Sequence, residues 1–442
     1  MAATSARRIG PVLATFVVAN NMIGAGFFLL PATLARSGSV TWIAWLVGTA
    51  LAVLLGGAFA RLARTHPAMT SADDYVRPAL GRDAGFLAAT LYWLASWIGN
   101  NAIAVAAFGY LATLLPFASH EPGVQLAGQL ALIWLVFALN LLGPRQVARF
   151  QGATVVLGLL PVLAVLLFGW QQFDPDTFAG GWNRTSDSDA AVVLASLAPV
   201  FWAFVGLESG AMIAGVVRDP DRNVPRATLA GIVLAGCVYV LASVLLMGIV
   251  PAAELAGSSA PFALVAGQLF GPLGLWLVAA AAAIKATGTL GGWMLVSGET
   301  GARAAARGFL PWALFGPVRG NGAAGRGLLV IAVGMSLVAV LTSAPTVGEQ
   351  FGRLVGMVVL LVVIAYAAAG LSLLVGSPAA PATGRDRLYG AGALAACALL
   401  LFSSPWPMLG GALATAALVW IAWRLTGARR PPPAATDATA DG

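Results

Sequence analysis

Two ionisable side chains stand far from any polar stretch of this sequence. Glu208 lies in Trp202-Ala203-Phe204-Val205-Gly206-Leu207-Glu208-Ser209-Gly210, and Lys285, the single lysine of the chain, lies in Ala282-Ala283-Ile284-Lys285-Ala286. An ionisable group within a long apolar run costs several kcal/mol if it faces lipid, so it normally faces a cavity and has a function. Glu208 is thereby a candidate for exchanging a proton or answering a cationic ligand. Trp202 precedes it by six residues, and Trp293 sits beside Gly291 and Gly292. An indole face attracts a desolvated cation by about 2 kcal/mol without a permanent ion pair, although most of the fourteen Trp are expected in interface belts or packing. Tyr92 and Asn100, about two helical turns apart, add a hydroxyl and an amide on related faces. The Asn100 amide oxygen suits a guanidinium, or a bond to another helix.

Glycine clusters interrupt two of the apolar runs. One reads Asn20-Asn21-Met22-Ile23-Gly24-Ala25-Gly26-Phe27, and the other surrounds Glu208. A broken helix exposes amides at its new N-terminus and carbonyls before the break, which complement the carboxylate and α-ammonium of an amino acid. The amides of Gly24, Ala25 and Gly26 suit the carboxylate, and the carbonyls of Ile23, Trp202 and Val205 the ammonium. The alternative for such clusters is close helix packing through small residues.

The elements that must position these residues follow from composition. Of 442 residues, 59% are hydrophobic and 9% charged, against roughly a quarter charged in soluble domains. Apolar runs recur at roughly 10–31, 40–62, 86–114, 124–142, 150–170, 190–216, 228–250, 264–296, 327–342, 351–375, 388–402 and 405–425. Twelve transmembrane helices leave no room for a soluble catalytic domain. The first run follows Arg7 and Arg8 as in a signal peptide, but it lacks a small-x-small cleavage site and is expected to be a retained span. The two broken runs are the first and the sixth. Breaks five spans apart are the mark of an inverted-repeat transporter that holds its substrate where the helices part.

Of the 24 basic residues, 23 are Arg. They concentrate in the loops after even-numbered spans, including Arg61, Arg64, Arg145, Arg149, Arg222 and Arg307, so both termini are expected on the cytoplasmic side. No basic stripe with interleaved aromatics suggests nucleic acid. Cys237 and Cys397 sit inside apolar runs and imply neither disulfide nor metal site. His66 and His120, the only histidines, fall in loops, and no hydrolase or metalloprotease signature occurs. An enzyme is therefore not expected, nor a cofactor. The segment 426–442 is expected to be a disordered cytoplasmic tail.

The run Asn21 to Pro31, the stretch Leu91 to Asn100, the block Trp202 to Ser209, the segment Asp219-Pro220-Asp221-Arg222-Asn223-Val224-Pro225 and Leu290-Gly291-Gly292-Trp293 closely resemble the bacterial arginine/agmatine antiporters. These belong to the basic amino acid/polyamine antiporter branch of the amino acid–polyamine–organocation (APC) superfamily. The resemblance runs from about residue 9 to 425. It implies an all-α integral membrane protein of the bacterial cytoplasmic (inner) membrane, with a LeuT-like 5+5 inverted repeat at about 9–170 and 190–375 and two extra helices at 388–425. It also implies that the protein is often dimeric and exchanges an amino acid for its decarboxylated amine. Carried over by position, Trp202 would stack on the substrate side chain and Asn100 and Trp293 would contact its far end. Tyr92, Glu208 and Trp293 would gate the inner side, and Asn21 would lie at the first break.

Three positions depart from that pattern. Ala25 and Val358 stand where those antiporters have substrate-contacting serines, and Lys285 replaces a small residue. A lysine beside a cationic substrate would repel it unless it is uncharged, paired with Glu208, remote from the pocket, or a fixed stand-in for a coupling sodium. The leading expectation is a secondary antiporter for a cationic, arginine-like amino acid and its agmatine-like amine. The alternative is a proton-coupled permease or exporter of neutral amino acids on the same fold.

Overall fold

The computed structural model describes residues 9–65, 72–115, 121–212, 217–316, 318–378 and 380–426. His66, His120 and the expected tail from 427 onward lie outside them. Apart from a two-stranded hairpin, Gly376–Ser377 with Ala380–Pro381, the described chain is helical.

Nine helices among the described residues are individually long and apolar enough to cross a bilayer, and the bent pair Pro11–Met22 plus Gly26–Ala35 makes a tenth. Two more complete the twelve expected spans. The sixth is the short apolar helix Asp189–Trp202, continued beyond a break by Ser209–Met212. The eleventh is Gly384–Phe402. Large apolar side chains such as Leu167, Leu273, Leu341 and Leu425 are more than two-thirds exposed, which suits lipid as the surrounding solvent.

Both breaks are present, with chemical causes. In the first span the helix stops at Met22, Ile23 leaves helical backbone, and Gly24 is extended. The chain then turns by 52° into the second half-helix. In the sixth span residues 203–208 form turns rather than helix, and Gly206 has φ +106°, a conformation in which a Cβ would be strained. Unwound backbone at membrane depth must be satisfied by protein or water, and buried tyrosines supply part of this. Tyr239 donates to the Ala203 carbonyl at 2.9 Å, and within the second half-helix of the first span Tyr110 donates to the Phe28 carbonyl at 2.8 Å. Phe27 packs on Phe262 with ring centroids 4.8 Å apart, and Phe204 on Tyr239 at 5.3 Å, so aromatic packing holds the first span's second half-helix and the sixth-span break.

A second matched device is absent from the sequence reading. The helix Ala72–Thr113 contains a non-helical residue at Gly81 (φ 86°), and Pro261–Ala306 contains one at Gly271 (φ 70°). In each case about ten residues of helix precede a left-handed glycine and a long span follows. The two helices are the third and eighth, five spans apart like the breaks, as an inverted repeat requires. The first of these glycines also explains why the third helix begins at Ala72, well before the apolar run at 86.

Polar ties join loops on the even-numbered side. Arg61, closing the second span, pairs with Asp386 of the eleventh at 2.5 Å, and Asp386 also completes a capping box with Thr383. Arg307 pairs with Asp74 at 2.6 Å, and Arg424 with Asp83 at 2.9 Å. The Asp386 side chain of the first pair is only 7% exposed, so Asp386→Asn is expected to cost about 1 to 2 kcal/mol by weakening a charged hydrogen bond with one buried partner. A lower midpoint of thermal unfolding in detergent, with a larger drop than for Asp83→Asn, checks this.

Candidate functional site

The two breaks meet at one cavity. Its first half is lined by Asn21, Gly24 and Gly26 from the first span and by Trp202, Ala203 and Val205 from the sixth. The third, eighth and tenth spans close it with Tyr92, Asn100, Trp293 and Val358, among others. This part is narrow, about 40 Å³. Beyond Asn21, Tyr92, Thr289 and Trp293, which line both parts, it continues into a wider chamber of about 250 Å³ that reaches Glu208, Lys285 and Ser209.

Small residues position the indole of Trp202. A Cβ on Gly26 would stand 2.5 Å from its Nε1, and one on Gly99 would stand 2.6 Å from its Cη2. The ring is thus seated between the first break and the third span, in a slot that any larger residue would fill. Trp293 covers the second break: a Cβ on Gly206 would lie 3.5 Å from its ring and 3.4 Å from the Asn21 carbonyl. The Trp293 carbonyl accepts from Ser297 Oγ at 2.8 Å, and Ser297 bonds Ser96 of the third span at 3.0 Å.

At the first break the Ile23 amide still donates to Ala19 (2.8 Å), the Gly24 amide turns back to Met22 (2.7 Å) and the Phe27 amide to Gly24 (3.3 Å). The amide of Gly26, second in its half-helix, is one of the orphan donors a helix start leaves. Asn100 is 1% exposed, and among the described residues neither atom of its amide has a hydrogen-bond partner. Such a group carries an uncompensated desolvation cost unless a ligand or water meets it.

Glu208 is 8% exposed and ties three elements together. Its Oε1 accepts from Tyr92 Oη at 2.5 Å. Its Oε2 accepts from Tyr366 Oη in a short contact and from the Gly206 amide at 3.2 Å. The carboxyl group thus joins the third, sixth and tenth spans. Lys285 is 1% exposed and donates to Thr289 Oγ1 at 3.3 Å. The ion pairs among the described residues do not include Lys285, so pairing with Glu208, one arrangement the sequence allowed, is not the one found.

Of the residues singled out in the sequence, Asn21, Gly24, Gly26, Tyr92, Asn100, Trp202, Val205, Trp293 and Val358 line the narrow part, and Glu208 and Lys285 the wider one. Ile23 lies in the break, partly buried against the core, and not on the lining. Ala25 opens the second half-helix; its side chain lies outside the described residues. Tyr366, Thr289, Gln151 and Ser209 were missed. Tyr366 sits in a continuous apolar run with no sequence signal toward Glu208. Thr289 did carry one, four residues after Lys285 and hence on the same helical face.

A multi-pass helical membrane protein with a cavity where two helices break has the architecture of a transporter, and comparison with known proteins agrees. The chain belongs to the amino acid permease family, whose description matches residues 9–428. It is 37% identical over 371 residues to the cadaverine/lysine antiporter of Escherichia coli K12, covering 82% of each chain. It is 31% identical over 366 residues to the putrescine transporter PotE of the same organism, covering 83% of each, and 29% identical over 359 residues to PotE of Haemophilus influenzae, covering 81% of this chain and 82% of that one. The chain is therefore a transporter of the basic amino acid/polyamine branch of the APC superfamily and not an enzyme. These relatives do not single out arginine and agmatine as its substrates.

Proposed function

We propose that this protein exchanges a cationic amino acid for its decarboxylated amine across the bacterial inner membrane, by alternating access around the two breaks. The observation that carries this is the Trp202 indole, seated between Gly26 and Gly99 beside the unpartnered amide of Asn100. An aromatic face and a free amide oxygen receive the cationic end of a lysine-like or arginine-like side chain. The orphan amides after Gly24 receive the carboxylate, and carbonyls before the breaks receive the α-ammonium. Tyr92, Glu208 and Trp293 form the inner gate. Relatives with cadaverine, lysine and putrescine in their names put lysine and cadaverine beside arginine and agmatine as candidate pairs.

Gating follows from the Glu208 ties. While ionised, the carboxylate holds Tyr92 of the third span and Tyr366 of the tenth to the sixth-span break. A proton on Glu208 reverses one of these bonds, a tyrosine hydroxyl then accepting instead of donating, and removes the charge that strengthens all of them, so the spans part more easily. The Arg-rich loops after even-numbered spans support cytoplasmic termini.

Counterflow in proteoliposomes tests the exchange. Labelled lysine or arginine is expected to enter only vesicles preloaded with amino acid or amine. Uptake into empty vesicles driven by a pH gradient alone, with neutral amino acids preferred, would instead establish the proton-coupled permease.

A further inference from the structure

The wider chamber contains a buried lysine with no acidic partner among the described residues. Lys285 is 1% exposed, and its Nζ donates to a neutral hydroxyl, Thr289 Oγ1, at 3.3 Å. Glu208 lines the same chamber, but its oxygens are engaged by Tyr92, Tyr366 and the Gly206 amide. Thr289 relates the ammonium to the first break: a Cβ on Gly24 would stand 3.3 Å from the Thr289 methyl. The half-helix with the orphan amides starts immediately after Gly24. Ser209 Oγ, in a residue 8% exposed, and Asn20 Oδ1 line this chamber too, and both atoms are buried without a partner. A buried charge is costly unless it is paired, and among the described residues nothing anionic pairs with this one.

We propose that Lys285 is a specificity-determining residue whose ammonium, beside the first break, favours the substrate that carries a carboxylate there and disfavours the amine that has lost it. The inference rests on the exchange reading above and deepens it. An amino acid brings an anion to the neighbourhood of Lys285. Its decarboxylated amine brings no negative charge, only a second cation. In a protein interior with an effective dielectric of about 20, one unit charge several ångströms away alters affinity by about one to two orders of magnitude. The two partners of the exchange are thus bound unequally, and Lys285 sets the inequality.

Binding titrations on the purified full-length protein, with lysine against cadaverine and arginine against agmatine, test this. Lys285→Met is expected to lower the ratio of amino-acid to amine affinity at least about tenfold, and Lys285→Arg to keep it. Amine binding by Lys285→Met shows in the same assay that the site is folded. Gln151→Glu is a second, near-isosteric route. Gln151 lines the chamber and packs on Gly292, so a carboxylate there offsets the ammonium and is expected to lower the ratio in the same direction. Should Lys285→Met not fold, Gln151→Glu decides alone. A ratio that stays at the wild-type value in the variants that fold overturns the role of Lys285. If the wild-type protein binds none of the four compounds, the exchange reading itself fails, and this inference with it.

Discussion

Glu208→Gln is expected to transport at a rate that no longer changes with pH, whereas the wild-type rate rises as the medium is acidified. The sign follows from counting donors and acceptors. The carboxylate accepts from Tyr92, Tyr366 and the Gly206 amide, and a proton on it turns charge-assisted bonds into weaker neutral ones. Acidification therefore weakens the ties between the third, sixth and tenth spans. Glutamine presents one oxygen and one NH₂ at every pH and imitates the protonated acid, so the variant is fast and flat. Tyr366→Phe removes one tie but leaves the titrating group, so it is expected to raise the rate while retaining a slope. Proteoliposome exchange measured from neutral to acidic pH checks all three proteins. A slope in Glu208→Gln as steep as in the wild type would move proton sensing to another residue.

Trp202→Leu should weaken binding of the cationic substrate by about 2 kcal/mol, close to a thirtyfold rise in Kd. Leucine keeps an apolar side chain in the slot between Gly26 and Gly99 but has no π face for a cation. The same slot supplies an independent check. Gly26→Val puts a Cβ 2.5 Å from Trp202 Nε1, so the indole must leave its seat although residue 202 is unchanged, and a comparable loss is expected. The Trp202 effect should be larger for arginine or lysine than for a neutral isostere such as norleucine, because only the cations use the ring electrostatically. Equal losses for charged and neutral ligands would reduce Trp202 to a packing residue.

Membrane insertion, span number and the location of the breaks are written locally in this chain. A run of about twenty apolar residues satisfies its backbone by helix formation wherever it sits in lipid, so the twelve runs could be read without knowledge of their neighbours. Gly24, Gly26 and Gly206 announce the breaks because helix propensity is itself a local property. Helix borders were less legible: Gly81 and Gly271 each join a preceding helix to a span, and an isolated glycine does not reveal whether the chain bends there.

Partnership was decided by the fold. Nothing near Tyr366 in sequence points to Glu208, 158 residues away, and although the i, i+4 spacing allows Lys285 to meet Thr289, nothing in the sequence excludes Glu208 as its partner. The seat of Trp202 joins Gly26 and Gly99 from different spans. Hydrogen bonds and close packing act over a few ångströms, while the residues that make them are brought together only when five spans assemble around the breaks. The sequence by itself thus determined which side chains had chemistry to offer inside the membrane. The tertiary structure determined which of them meet: a carboxylate held by two tyrosines, an indole held by two glycines, and a lysine with no acidic partner among the described residues.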